Sequence, residues 1–91
     1  MVRFYLISII GNIATYEYYP DGDKNKACGI ITLNTESGEI ILVQKSEDGY
    51  LNDAHHAMDR IEEYFEKEEI PEYGIVAWCW YIKKGWKYGL L

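Results

Sequence analysis

Alternation with a period of two governs the first half of the chain, and a helical period interrupts it once. Val2 to Ile10 and Ile13 to Tyr19 are rich in β-branched and aromatic residues and flank Gly11-Asn12, which is the pattern of a β-hairpin. Glycine at the first central position suits a type II′ turn, whose twist matches that of the strands. A two-residue loop sets Ile10 opposite Ile13. It then puts Ile9/Ala14, Ile7/Tyr16 and Tyr5/Tyr18 on one face and Ser8/Thr15, Leu6/Glu17 and Phe4/Tyr19 on the other. The second set is more mixed, so the Ile7/Ile9 face is the one expected in the core. A slip of one residue would exchange the two faces completely.

Residues 20–26 form a polar turn that leaves the sheet. Cys28 to Asn34 and Glu39 to Lys45 predict a second hairpin around Thr35-Glu36-Ser37-Gly38, with Gly38 taking a left-handed conformation. Ile30, Ile31 and Leu33 face Ile40, Ile41, Leu42 and Val43 with apolar groups on both sides. That distribution predicts a central pair of strands, or a pair whose second face is also covered. The period then changes. Ala54, Ala57, Met58, Ile61, Tyr64 and Phe65 form a one-sided stripe over Asp53 to about Glu68, the signature of an amphipathic helix. Asn52 or Asp53 supplies its cap and Pro71 stops it. Gly74 opens a strand over Ile75 to Ile82, and Lys83-Lys84-Gly85 turns the chain into a short last strand, Trp86 to Leu90. The expected fold is α+β: one domain over residues 1–91, with five to six antiparallel strands in the order β-β-β-β-α-β-β and one helix on one face.

That architecture has a covering problem. A helix about 10–12 Å across shields two to three strands spaced about 4.8 Å apart, whereas five or six strands span roughly 25 Å. Several strands nevertheless supply apolar residues to both faces. Either the sheet curls on itself or a second copy covers the remainder, and a homodimer through the sheet is the expectation.

Composition sharpens this picture at three points. Aromatic residues make up 15% of the chain, with nine Tyr, three Trp and two Phe. Tyrosine and tryptophan suit such an interface because each combines apolar area with a polar tip. Fifteen acidic residues against nine basic give a net charge of −6, which argues against duplex DNA and anionic membranes as partners. The run Phe4 to Ile10 after Arg3 imitates a short signal peptide but has no small-x-small cleavage pattern after it, and no apolar stretch approaches the roughly 18 residues of a membrane span. Cys28 and Cys79 have no C-x-x-C spacing, which fits two thiols in a reducing cytoplasm.

Candidate chemistry is sparse. His55, His56 and Asp59 lie within a helical turn or so of each other, with Glu63 further along. Zinc needs three or four ligands, and no second His or Cys cluster completes the set. No nucleophile or glycine-rich phosphate loop accompanies His56 and Glu63. No catalytic residue, cofactor or metal is therefore assigned. Asp21-x-Asp23-x-Asn25 copies the start of a calcium loop, but Lys26 stands where that loop needs glycine and Thr32 where it needs glutamate.

Charge is unevenly spread. Residues 46–72 hold ten acidic and two basic residues, whereas residues 73–91 hold three lysines and no acid. The acidic helix face, with Asp59, Glu62, Glu63, Glu66 and Glu69, is a candidate surface for a basic protein partner. In the tail, Lys83, Lys84 and Lys87 interleave with Trp80, Trp86 and Tyr88. With Trp78 they are candidates for self-association or for stacking on single-stranded nucleic acid. A non-catalytic, self-associating interaction module is the leading expectation, and weak single-strand binding through the tail is the alternative.

The strings Ile13-Ala14-Thr15-Tyr16-Glu17-Tyr18-Tyr19, His56-Ala57-Met58, Arg60-Ile61-Glu62-Glu63-Tyr64 and Gly74-Ile75-Val76-Ala77-Trp78 resemble those of small uncharacterised bacterial hypothetical proteins that carry no assigned activity. The resemblance implies a single α+β domain and transfers no functional residue. After Trp80 the chain departs from that pattern.

Overall fold

In the computed structural model, which describes residues 1–77, two hairpins, a helix and a further strand follow one another. The strands are β1 (Val2–Ile10), β2 (Ile13–Pro20), β3 (Gly29–Asn34) and β4 (Ile40–Gln44); α1 (Leu51–Glu66) and β5 (Tyr73–Val76) complete the set. All neighbouring strands are antiparallel, in the spatial order β4-β3-β2-β1-β5. The α+β class is therefore as expected, with five strands among the described residues. The expected strand over Trp86 to Leu90, and the far end of the one over Ile75 to Ile82, lie outside them.

Local chemistry explains the turns and the helix ends. Gly11 turns the first hairpin at φ 59° and Gly38 closes the second at φ 83°, the left-handed region open to glycine. The helix begins at Leu51, two residues earlier than its apolar stripe suggests. The Tyr50 backbone N–H donates to the Asp53 carboxylate at 2.8 Å, so Asp53 acts from inside the first turn rather than as the cap itself. The helix stops before Pro71 is reached. Glu68 takes a left-handed conformation at φ 62°, and the Glu69 N–H bonds back to the Tyr64 carbonyl at 2.9 Å, closing the end as a Schellman-type turn.

One face of the sheet carries the core. Val2, Phe4, Ala14, Tyr16, Tyr18, Ile31 and Leu33 are fully buried against Ala54, Ala57 and Ile61 of α1. The two alanines let the helix backbone approach the sheet closely. On β1 the expected face is reversed from Leu6 back to Val2: Phe4 and Val2 are buried and Tyr5 turns outward, whereas Ile9 keeps the side of Ala14 and is 51% exposed near the hairpin end. The cause is a register shift between Leu6 and Ser8. Ile9 pairs with Ala14 and Ser8 with Thr15 as expected, but beyond the shift Leu6 meets Tyr16 and Phe4 meets Tyr18. An extra residue in one strand of a pair is a β-bulge, and it moves every later side chain to the opposite face. The second hairpin is also corrected. Rather than a central pair, it ends at β4 on the outside of the sheet, with Ile41 and Val43 exposed.

Across the core face runs one notable row: Gly74 of β5 pairs with Phe4, Phe4 with Tyr18, and Tyr18 with Gly29 of β3. A Cβ built on Gly29 would lie 2.0 Å from Cε2 of Tyr18, and one on Gly74 would lie 2.3 Å from Cζ of Phe4. Each ring thus lies over the glycine of the neighbouring strand. The Tyr18 hydroxyl accepts the Ser46 N–H at 2.9 Å, fixing the segment after β4.

Tyr16 reaches through the core and donates its hydroxyl to the Pro71 carbonyl at 2.9 Å. Burial pushes its phenol up from 10.0 to about 12. An unfolded tyrosine loses its proton near pH 10, and this one keeps it to about pH 12. Stability present below pH 10 is therefore lost as pH rises between those values, because the unfolded state binds fewer protons. The loss attributable to this group is on the order of 2 kcal/mol by pH 12. Denaturant midpoints measured from pH 8 upward should fall less steeply above pH 10 in Tyr16→Phe than in the parent; parallel slopes would show that another group is responsible.

Candidate functional site

The side of the sheet opposite α1 divides into two ends. At one end Arg3 and Tyr5 of β1 stand at positions i and i+2 and are paired with Tyr19 and Glu17 of β2. On the other side the same two residues are paired with Ile75 and Tyr73 of β5. Alternation therefore brings Arg3, Tyr5, Glu17, Tyr19, Tyr73 and Ile75 onto one surface. The rings touch: Tyr5 and Tyr73 stack with centroids 6.0 Å apart, and Tyr19 meets Tyr5 edge-on at 5.9 Å. Lys24, from the turn after β2, holds its ammonium 4.1 Å from the centre of the Tyr5 ring, a cation–π contact. Tyr19 donates its hydroxyl to Glu17 at 2.9 Å. Desolvation, and then that carboxylate, push the Tyr19 phenol up to about 12, so it is a neutral donor at physiological pH.

The other end is aliphatic. Ile10 and Ile13, paired at the hairpin turn, are 76% and 38% exposed there, while Ile9, on the helix side with Ala14, and Ile7, at the bulge, are also half-exposed. Here β1 also has an open edge. Its pairing with β5 runs only from Val2 to Tyr5, and the Leu6 N–H takes the Glu72 carbonyl at 2.8 Å. From Ile7 to Ile10, β1 makes no backbone bond on that side among the described residues. A shallow groove of about 670 Å³ follows this edge, from Arg3, Tyr5, Glu72 and Tyr73 to Ile7, Ser8 and Ile9.

The residues singled out from the sequence fall elsewhere. His55 is exposed and His56 half-buried on α1, and no group of three or more His, Cys, Asp or Glu suited to a metal occurs among the described residues. Asp59, Glu62, Glu63 and Glu66 are all exposed on the outer side of the helix. Glu63 is partly neutralised by Arg60, whose Nε lies 3.2 Å away. In the turn that imitates a calcium loop, Lys26 places its ammonium 2.6 Å from the Asp21 carboxylate, and Asp23 accepts the Asn25 N–H at 2.9 Å. Cys28 is a half-buried free thiol. Trp78, Trp80, Trp86, Tyr88, Lys83 and Lys84 lie outside the described residues, as does Cys79.

No family model, curated protein or solved structure matches this chain.

Sequence reasoning missed the tyrosine end of the open face. The signal was present in the spacing of Arg3 with Tyr5 and of Glu17 with Tyr19, but regular pairing without the bulge split those residues between two faces. No described helix is long and apolar enough to cross a membrane.

Proposed function

We propose that this protein is a non-catalytic interaction module that self-associates through its sheet, with the open edge of β1 as the seam. One observation carries the reading: from Ile7 to Ile10 an uncharged, isoleucine-rich strand edge has no backbone partner on its outer side among the described residues. Exposed edges of this kind are templates for another strand and are normally blunted by lysine, proline or a cover. Two copies related by a two-fold axis pair such edges antiparallel, each presenting the same patch to the other. Ile7, Ile9 and Ile10 lose exposed apolar surface in the process, a favourable term of about 25 cal/mol per Å². The acidic outer side of α1 stays free in this arrangement and is the surface offered to a basic partner.

Light scattering on the full chain tests the seam. The parent protein should show twice the chain mass at tens of micromolar and above. Ile9→Lys, at a half-exposed site, should give the single-chain mass with an unchanged circular dichroism spectrum. A parent protein of single-chain mass throughout, or an Ile9→Lys variant of undiminished mass, contradicts the proposal.

A further inference from the structure

The tyrosine end of the open face has features that self-association at the isoleucine end does not use. Arg3 is the clearest. Its Nε is buried without a hydrogen-bond partner, and the guanidinium takes part in neither ion pair found among the described residues. The side chain is held in place by the turn beside it: a Cβ at Gly22 would stand 2.9 Å from that Nε and 3.1 Å from Cδ and Cγ. Lys24 likewise rests on the Tyr5 ring rather than on a carboxylate. In a chain with fifteen acidic residues, two cations left without carboxylate partners on one surface need an explanation. A half-buried guanidinium lacking its bonds favours an anion that accepts from its planar fork.

The neighbours specify what the anion is attached to. Tyr73 is 54% exposed and stacks on Tyr5, extending an aromatic surface next to the cations. Tyr73 stands diagonally across the β1–β5 pair from Arg3, about 7–8 Å away, roughly the reach from a nucleotide's phosphate to its base. Glu72, on the same groove wall, supplies an acceptor for base N–H groups, and the Tyr19 phenol stays protonated and polar.

We infer that this surface binds a nucleotide, with its phosphate on Arg3 and Lys24 and its base stacked on Tyr73. Stacking on an aromatic ring tolerates any base, because every base has a π-face. The nucleotide is either free or part of a single strand, and the two sources share this chemistry. The site does not depend on the seam at Ile7–Ile10.

The test is an NMR titration of the full chain with adenosine monophosphate, a mixed-sequence single-stranded DNA dodecamer and inorganic phosphate, each at low and moderate salt. Both nucleotide probes should shift the Arg3, Tyr5 and Tyr73 signals saturably, more weakly at the higher salt, whereas inorganic phosphate should bind at least about tenfold more weakly than adenosine monophosphate, a difference of about 1.4 kcal/mol. Arg3→Gln should weaken nucleotide binding by about tenfold and Tyr73→Ala by about five- to tenfold. Lys24→Gln, at an exposed position, gives an independent reading if Arg3→Gln perturbs folding. A dodecamer binding at least about tenfold tighter than the monophosphate identifies a single strand as the source, and equal affinities identify the free nucleotide. No saturable shift with either probe, or affinities unchanged by both Lys24→Gln and Tyr73→Ala, overturns the inference. These substitutions leave the seam intact, so their effect on ligand is read separately from any change in mass.

Discussion

Gly29→Ala should destabilise the fold by about 3 kcal/mol or more, although it adds a single methyl group. The new Cβ would meet three atoms of the Tyr18 ring, the nearest at 2.0 Å. Tyr18 is fully buried and its hydroxyl is committed to the Ser46 N–H, so the ring cannot swing away without breaking a buried hydrogen bond. Losing that bond leaves a buried donor unsatisfied, at about 1–3 kcal/mol. Urea unfolding checks the prediction. A midpoint within experimental error of the parent's would show that Tyr18 does not lie over Gly29 as described.

Phe4→Ala should cost about 3–5 kcal/mol. That is a large share of the roughly 5–15 kcal/mol by which domains are stable. Phe4 is fully buried, meets Tyr16 edge-on at 5.6 Å and covers Gly74. The last contact makes a sharper test. Gly74→Ala should be strongly destabilising alone, because its Cβ would lie 2.3 Å from the Phe4 ring, but nearly harmless in a Phe4→Leu background, where that ring is gone. The double-mutant cycle should therefore return a coupling of at least about 1 kcal/mol. Additive effects would mean that the glycine is required for its backbone rather than for the ring above it.

These two substitutions address a row of residues that period-two patterning finds only in part. The strands, the helix and both hairpin turns are legible because their signals are local: alternation, a one-sided apolar stripe, and glycine where φ must be positive. The β2 core face, with Ala14, Tyr16 and Tyr18, was equally legible. The β1 face was not, since one bulge between Leu6 and Ser8 inverts it and nothing in the string Leu6-Ile7-Ser8 distinguishes a bulged strand from a regular one. The error then spreads to the site. With Tyr5 assigned to the core, the open-face cluster of Tyr5, Tyr19 and Tyr73 could not be assembled. The position of β4 was hidden for a different reason. Ile40 to Val43 is apolar on both sides, as a central strand would be, and only the tertiary order places it at the outside.

Cover is uneven among the described residues. One helix lies on one side of five strands, and the other side exposes isoleucine at one end and tyrosine at the other. That surface is neither uniformly apolar nor uniformly polar. Ser8, Thr15 and Thr32 form a polar row between the two ends, which gives each end a separate role.

Backbone amide exchange between Ile7 and Ile10, followed as a function of protein concentration, tests the seam at its own atoms. Amides that bond to β2 are slow at any concentration; the others face outward. If two copies join along β1, the outward amides become protected as concentration rises and exchange freely on dilution, while β4 amides do not change. Outward amides that exchange at one rate across the whole range, in protein that is otherwise folded, would contradict the account.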